Sequence, residues 1–376
     1  MKIVYCIQSL ATAGGMERVL VNKANYLADV FKEEVVIITT DQKGDLPFYA
    51  ISERIKCFDL GINYRDNPGN KLIPRLKKKR LHRKRLEKLL MELRADIVIS
   101  LFKKESDFLY KIRDGSKKVL EFHFSRFYRL QNTLGWRILL KKMLLKKDKY
   151  LASKYDKFVV LTEEDRRLWG KADNICVIHN ACDFKGEEYA NWAAKRVIAV
   201  GRLDYQKGYD RLIAIWKQIR IAFPDWTLEI FGEGSEQEFL MRRIRESGLE
   251  NVVKIHQPVS GIREEYCKSS VYVMTSRFEG MPMVLIEAMA CGLPVVAYAC
   301  QCGPREIIQD GRNGFLIEEG KEEAFIRKLS LLLQDRELRE KMGREAADST
   351  GRFSREKIME QWEKLFYRLK EGGESV

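Results

Sequence analysis

The strongest constraint on this chain is an alternation. Short, nearly continuous runs of apolar and β-branched residues recur along it, and segments with helical periodicity separate them. In the first half the runs fall at 2–9, 34–40, 97–100, 118–122, 157–161 and 176–178. In the second they fall at 196–200, 227–231, 252–256, 271–275 and 294–298. Strands this apolar must be covered on both faces. Strands joined through helices pair in parallel, so the pattern predicts βαβ units and an α/β fold. A polar segment at 183–195 separates the two series, and 376 residues are enough for two cores. We expect one doubly wound domain over 1–182, a second over 183–353, and a closing helical segment over 354–376. Two such domains facing each other leave a cleft at the carboxyl ends of both sheets, where ligands bind in such folds.

Composition narrows the class. Hydrophobic residues make up 45% and charged residues 32%, which fits a globular chain rather than a disordered one. No apolar run reaches the length of a bilayer span. The first residues read as a buried strand; Ala11-Thr12-Ala13 mimics a signal-peptide cleavage site, but Gln8 and Ser9 interrupt a short apolar run. The eight cysteines contain no C-x-x-C pair and read as buried thiols in a reducing cytosol. The four histidines, His82, His123, His179 and His256, are scattered, so no metal site is expected.

The formal charge of +14 points to a polyanionic partner, nucleic acid or an anionic membrane. The excess is localised. Residues 71–94 hold 11 basic and 2 acidic side chains, and residues 137–157 hold 8 and 2. In the first stretch Leu86, Leu89, Leu90 and Leu93 recur at helical spacing behind Lys77, Lys78, Lys79, Arg80, Arg83, Lys84 and Arg85. In the second, Trp136, Leu140, Met143, Leu144 and Leu151 recur among Lys141, Lys142, Lys146 and Lys147. Basic amphipathic helices suit a membrane surface. A core-facing helix with a solvated charged face is the plainer alternative. Nucleic acid is not expected as a partner: no recognition module appears, and Phe122, Phe124, Phe127 and Tyr128 form only a local aromatic cluster.

The loops after the strands carry the chemistry. Gly14-Gly15-Met16-Glu17-Arg18 lets backbone approach a ligand and opens a helix whose N-terminus favours an anion, although it is not G-x-G-x-x-G. His123 stands at a strand's carboxyl end, where a structural and a functional role are both open. Gly201-Arg202-Leu203-Asp204-Tyr205-Gln206-Lys207-Gly208 sets two cations in one βα loop, suited to phosphate oxygens or simply to solvent. Gly232 and Gly234 again bring backbone close. Gly280, Met281 and Pro282 mark a turn and a helix start. Glu279 precedes that helix and Glu287 lies inside it among apolar residues, where a carboxylate needs a partner such as a ligand hydroxyl or a structural bond.

Together these residues resemble family 4 retaining glycosyltransferases of GT-B fold. The likeness rests on Gly14-Gly15-x-Glu17-Arg18, Gly201-Arg202-Leu203 with Lys207-Gly208, and Glu279-x7-Glu287. It extends through Gly292-Leu293-Pro294-Val295-Val296, Gly303-Pro304-Arg305-Glu306-Ile307-Ile308 and Asp310-Gly311-Arg312-Asn313-Gly314-Phe315-Leu316. The resemblance implies that Gly14-Gly15 lies against the donor diphosphate and the acceptor, and that His123 bonds a donor-sugar hydroxyl. It implies that Arg202 and Lys207 hold the diphosphate, Glu279 the transferred sugar and Glu287 the ribose. Backbone at Gly232-Glu233-Gly234 and Pro258-Val259 would meet the base, and phosphate would sit at the helix start over Gly280, Met281 and Pro282. The last helix would return to the first domain. Two cations and a helix dipole can stabilise a departing nucleoside diphosphate without metal, and the sequence contains no Asp-x-Asp. The nucleotide sugar, UDP-linked by family habit, is then a co-substrate, and neither cofactor nor metal is expected. One departure is Asn180-Ala181, where the family usually has Asn-Gly at the domain junction. Many such enzymes build lipopolysaccharide, capsule or lipid-linked oligosaccharide. A saccharide or lipid-linked acceptor is therefore expected, with Lys77, Lys78, Lys79, Arg80, Lys141 and Lys142 meeting acceptor phosphate or the cytoplasmic membrane leaflet. Rival readings are another GT-B enzyme such as an epimerase or phosphorylase, a non-catalytic relative, and a basic membrane- or nucleic-acid-binding protein.

Overall fold

The computed structural model describes residues 1–12, 14–66, 72–131, 135, 137–184 and 189–372, with backbone alone at 65 and 72–75. The chain forms two compact units, Met1–Ala181 with Glu356–Val376, and Cys182–Arg355.

The first unit is a parallel sheet of, among the described residues, seven strands. These are β1 (Lys2–Cys6), β2 (Glu34–Thr39), β3 (Lys56–Asp59), β4 (Ile97–Ser100), β5 (Lys117–Glu121), β6 (Lys157–Val160) and β7 (Ile175–Val177), in the order β3-β2-β1-β4-β5-β6-β7. Helices α1 (Gly15–Asp29), α2 (Leu72–Leu93), α3 (Arg137–Ala152) and α4 (Glu163–Trp169) belong to the same unit. β1 shows why the sheet is covered twice. Ile3 and Tyr5 enter one core with Leu20, Ala24 and Leu27 of α1, while Val4 and Cys6 enter another with Leu86 and Leu90 of α2.

The second unit has a parallel six-stranded sheet among its described residues: β8 (Arg196–Val200), β9 (Thr227–Phe231), β10 (Val253–His256), β11 (Val271–Met274), β12 (Val295–Tyr298) and β13 (Gly314–Ile317). Their order is β10-β9-β8-β11-β12-β13. Its helices are α5 (Tyr209–Ala222), α6 (Gln237–Glu246), α7 (Ile262–Cys267), α8 (Met283–Ala290), α9 (Pro304–Ile307), α10 (Glu322–Gln334) and α11 (Arg336–Ser349). The last helix, α12 (Arg355–Glu371), sends Ile358, Met359, Trp362, Phe366 and Leu369 into the core that holds β1 and α1.

Two strands escaped the apolar-run pattern, and both lie at sheet edges. β3 reads Lys-Cys-Phe-Asp and is exposed along its length. β13 reads Gly-Phe-Leu-Ile and pairs on one side with β12. For β3 the exposure of an unsealed edge accounts for this; β13 is a short, largely buried run that opens on a glycine.

The basic helices differ from each other. α2 buries Leu86 and Leu90 and half-buries Leu89 and Leu93, so its leucines pack the core. α3 buries Leu145 and Leu151 but leaves Leu139 and Met143 each 67% exposed, with Leu140 and Leu144 exposed as well. Trp136 and Leu134 lie outside the described residues. Two of the expected surface cations are held by their own unit. Lys78 donates to the Asn63 carbonyl, and Lys79 Nζ lies 2.6 Å from Asp107 Oδ2. Lys147 of α3 pairs with the other Asp107 oxygen at 2.7 Å, so one carboxylate ties both helices. Burial pushes the Asp107 carboxyl up, but bonds from Lys147 and Lys79 outweigh this and hold it below its ordinary range. Lys77, Arg80 and Lys142 are exposed, and Lys141 is half-buried. Among the described residues no helix is long and apolar enough to cross a membrane.

Candidate active site

In the second sheet β8 and β11 are hydrogen-bonded neighbours, and strand order reverses between them. Loops leaving a parallel sheet at such a switch point diverge and open a crevice. The loop after β8 carries Arg202 and Lys207; the loop after β11 carries Glu279. Lys207 Nζ lies 2.7 Å from Glu279 Oε1, and Gln206 Nε2 donates to Glu279 Oε2 at 3.3 Å and to the Phe278 carbonyl at 3.0 Å. Glu279 is only 6% exposed, so this cation and amide are what make its burial tolerable. The Lys207 ammonium has three N–H groups and spends one on Glu279. Arg202 is 72% exposed, with Nη2 3.2 Å from Asp204 Oδ2 and 3.3 Å from Gln206 Oε1. Most of its donor fork is open to a ligand.

Two glycine devices let the loop after β8 touch the loops after β11 and β9. Gly208 precedes α5 with φ +65°, and a Cβ there would stand 2.3 Å from the Thr275 carbonyl oxygen. Thr275 Oγ1 donates to the Gly208 carbonyl at 2.9 Å. Gly232 and Gly234, expected to face a base, serve first as a close crossing. Cβ atoms on them would lie 1.9 Å from the Gly201 carbonyl oxygen and 2.4 Å from that of Leu203. The Leu203 N–H donates to the Glu233 carbonyl at 2.8 Å. Pro258 lies in an exposed stretch after β10.

Pro282 caps α8, with φ −75° and ψ 93°, and accepts from the Leu285 N–H at 3.0 Å. Met281 and Pro282 are buried, and Gly280 is half-buried. Glu287 is buried within α8. Burial pushes the Tyr272 hydroxyl up, and the charges of Glu279 and Glu287 push it further.

In the first unit Gly14 caps α1 and Gly15 begins it, after the switch-point strand β1. His123 follows β5. Its Nε2 lies 3.1 Å from Glu121 Oε1, and Lys23 Nζ donates to both Glu121 oxygens at 2.6 and 2.5 Å.

The profile of Glycosyl transferases group 1 matches residues 187–349, and that of Glycosyltransferase Family 4 matches residues 13–185. An uncharacterized glycosyltransferase of Haemophilus influenzae is 32% identical over 372 residues, covering 96% of this chain and 98% of its own length. The chain belongs to glycosyltransferase family 4. A relative of Campylobacter jejuni is 26% identical over 377 residues, covering 98% of this chain and 99% of its own. It is an α-1,4-N-acetyl-D-galactosaminyltransferase whose substrate is a GalNAc-GalNAc-diNAcBac-PP-undecaprenol. A variant of TarM from S. aureus, solved with fondaparinux, α-GlcNAc-glycerol and UDP, matches with TM-score 0.80 at 18% identity, covering 97% of this chain and 99% of its own. The glycosyltransferase thus has the GT-B fold.

Sequence reasoning passed over several residues of this glycosyltransferase's site. Gln206, inside the Arg202–Lys207 loop, is the amide that joins Glu279. Arg277 makes paired bonds to Asp210 at 2.9 and 2.7 Å, donates to the Tyr205 carbonyl at 2.8 Å and stacks 4.0 Å from the Tyr205 ring centroid. Burial raises the Asp210 carboxyl, but Arg277 outweighs it and holds it below its ordinary range. The signal was present: Tyr205, Gln206 and Arg277 all lie within or beside loops already singled out.

Proposed function

We propose that the enzyme transfers a sugar, with retention of configuration and without a metal, from a UDP-sugar to a lipid-linked saccharide at an anionic membrane surface. The observation that carries the reading is the Lys207–Glu279 pair at the switch point of the second sheet, beside an open Arg202. Lys207 and Arg202 would hold the diphosphate and stabilise its charge as it leaves. Glu279, with lone pairs left after its two bonds, would accept from hydroxyls of the transferred sugar. Glu287 would take the ribose, Gly280, Met281 and Pro282 would bring the α8 N-terminus to phosphate, and Gly14 and Gly15 would do the same from α1. Backbone at Gly232, Gly234 and Pro258 would meet the base, and His123 would bond a sugar hydroxyl. In a front-face substitution the anomeric carbon–phosphate oxygen bond breaks as the acceptor oxygen attacks from the same side. The acceptor proton passes to the departing phosphate oxygen. UDP is supported by its presence in the TarM structure, and a lipid-linked acceptor by the Campylobacter relative.

Metal independence is supported by the paired cations and by a sequence without Asp-x-Asp. Peripheral membrane binding is supported by the exposed apolar residues of α3 beside Lys142 and Lys146, with Lys77 and Arg80 on α2. A screen of nucleotide sugars for slow hydrolysis identifies the donor, and turnover should survive EDTA. Lys207→Ala and Glu279→Ala should each abolish most turnover while the circular dichroism stays native. Full activity in both variants would refute the assignment. Lys77, Arg80, Lys142 and Lys146 changed together to Gln should weaken binding to anionic vesicles at fixed ionic strength.

A further inference from the structure

The first unit buries a charge pair that the family motifs do not contain. Lys23 occupies the apolar face of α1, among Leu20, Val21, Ala24 and Leu27, all buried. Its ammonium bonds both oxygens of Glu121, and the two side chains are 6% and 1% exposed. The same ammonium lies 3.8 Å from the Trp362 ring centroid and 5.2 Å from that of Tyr5. Removing both charges from water is costly, and an apolar pair of equal volume is often as stable or more so. Such a pair is therefore weak evidence of a stabilising role alone, and leaves room for a further use.

The use is visible two residues along the chain. Glu121 ends β5, and His123 Nε2 lies 3.1 Å from its Oε1. That nitrogen is shut from solvent and makes no hydrogen bond of good geometry, and Glu121 Oε1 is the carboxylate oxygen within reach of it. Glu121 has capacity to spare, since each carboxylate oxygen accepts more than one bond. Burial pushes Glu121 up, but Lys23 and then His123 outweigh it and hold its pKa at about 2, so it remains an acceptor.

We infer that Glu121 is a positioning residue for sugar transfer: anchored by Lys23, its carboxylate fixes His123 as the Nε2–H tautomer and turns Nδ1 outward to accept a hydroxyl of the bound sugar. A carboxylate that takes the N–H of one imidazole nitrogen leaves the lone pair on the other, fixing both tautomer and ring orientation. The inference rests on the reading of His123 as a sugar contact. Lys23 acts one step further out, with the Trp362 and Tyr5 rings packed beside its ammonium.

The test uses the full chain labelled with ¹⁵N-histidine and a nucleotide sugar that the enzyme hydrolyses. His123 should show the Nε2–H tautomer in the unaltered protein; the Nδ1–H form there would overturn the inference without any variant. Glu121→Gln should mix the tautomers and lower kcat about tenfold or more, with KM for the donor little changed. The double variant Lys23→Met with Glu121→Gln leaves no buried charge and should give the same loss if the single variant folds poorly. In a His123→Ala background Glu121→Gln should cost nothing further, because the two act as one unit. Unaltered kcat and tautomer in the Glu121 variants, with His123→Ala inactive, would overturn Glu121's role alone. Full activity of His123→Ala would instead overturn the reading of His123.

Discussion

At Gly208 one methyl group is enough to push apart the loops that carry Lys207 and Glu279. The backbone is left-handed there, and the added carbon would meet the Thr275 carbonyl oxygen at 2.3 Å. Gly208→Ala should therefore lower unfolding stability by about 1–3 kcal/mol and reduce turnover, as read by urea titration and donor hydrolysis. Gly15 is the opposite case: a Cβ there meets nothing within 4 Å. Gly15→Ala should leave the urea midpoint unchanged, and a rise in donor KM would place ligand against that turn. Glu121 gives a pH signature. Its folded pKa of about 2 lies below the ordinary 4.5, so its contribution to stability is full above 4.5 and is lost as pH falls toward 2. The groups facing it are Lys23, His123 and Tyr5. Glu121→Gln should flatten the acid limb of stability against pH in that window. Lys207 and Glu279 were legible because each sits in a short motif after a strand. Lys23 and Glu121 were not, because no spacing links α1 to β5. The available signal was a lysine on an otherwise apolar helical face.

Among the elements, the interior strands announced themselves, and so did the edge strands β7 and β10, but β3 and β13 did not. β1, β4 and β11 are buried on both faces and read as unbroken apolar runs. β3 is exposed along its length, which relaxes the choice of residue, whereas β13 is a short, largely buried run that opens on a glycine. The basic helices were legible as helices, yet their faces were not. Periodicity gave both a leucine stripe, but only packing decides that α2 buries its own while α3 leaves much of its stripe in solvent. Asp107 links the two, and its lysine partners are 40% and 51% exposed. Pairs so exposed contribute little, so Asp107→Asn should cost about 1 kcal/mol or less in stability. It frees two cations, so affinity for anionic vesicles should rise in flotation assays.

On the scale of the molecule, the alternation in the sequence foretold two parallel sheets, because burial on both faces and connection through helices are properties of composition and order. Which unit claims the last helix is set by packing and not by the order of the chain. It joins the first core through Ile358, Met359, Trp362, Phe366 and Leu369. A chain ending at residue 353 should lose the cooperative melting of the first unit and keep that of the second, whose core is complete without α12. Calorimetry would show one transition surviving. The same arrangement governs the order of synthesis. The strands of the first unit leave the ribosome before the second unit does, yet their core lacks one wall until the second unit has been translated. At about 5–20 residues per second that interval lasts on the order of ten seconds or more. Throughout it the Lys23 ammonium has no Trp362 ring beside it, and the apolar face awaiting α12 stands open to water. Of the two units, the one begun first is the one completed last.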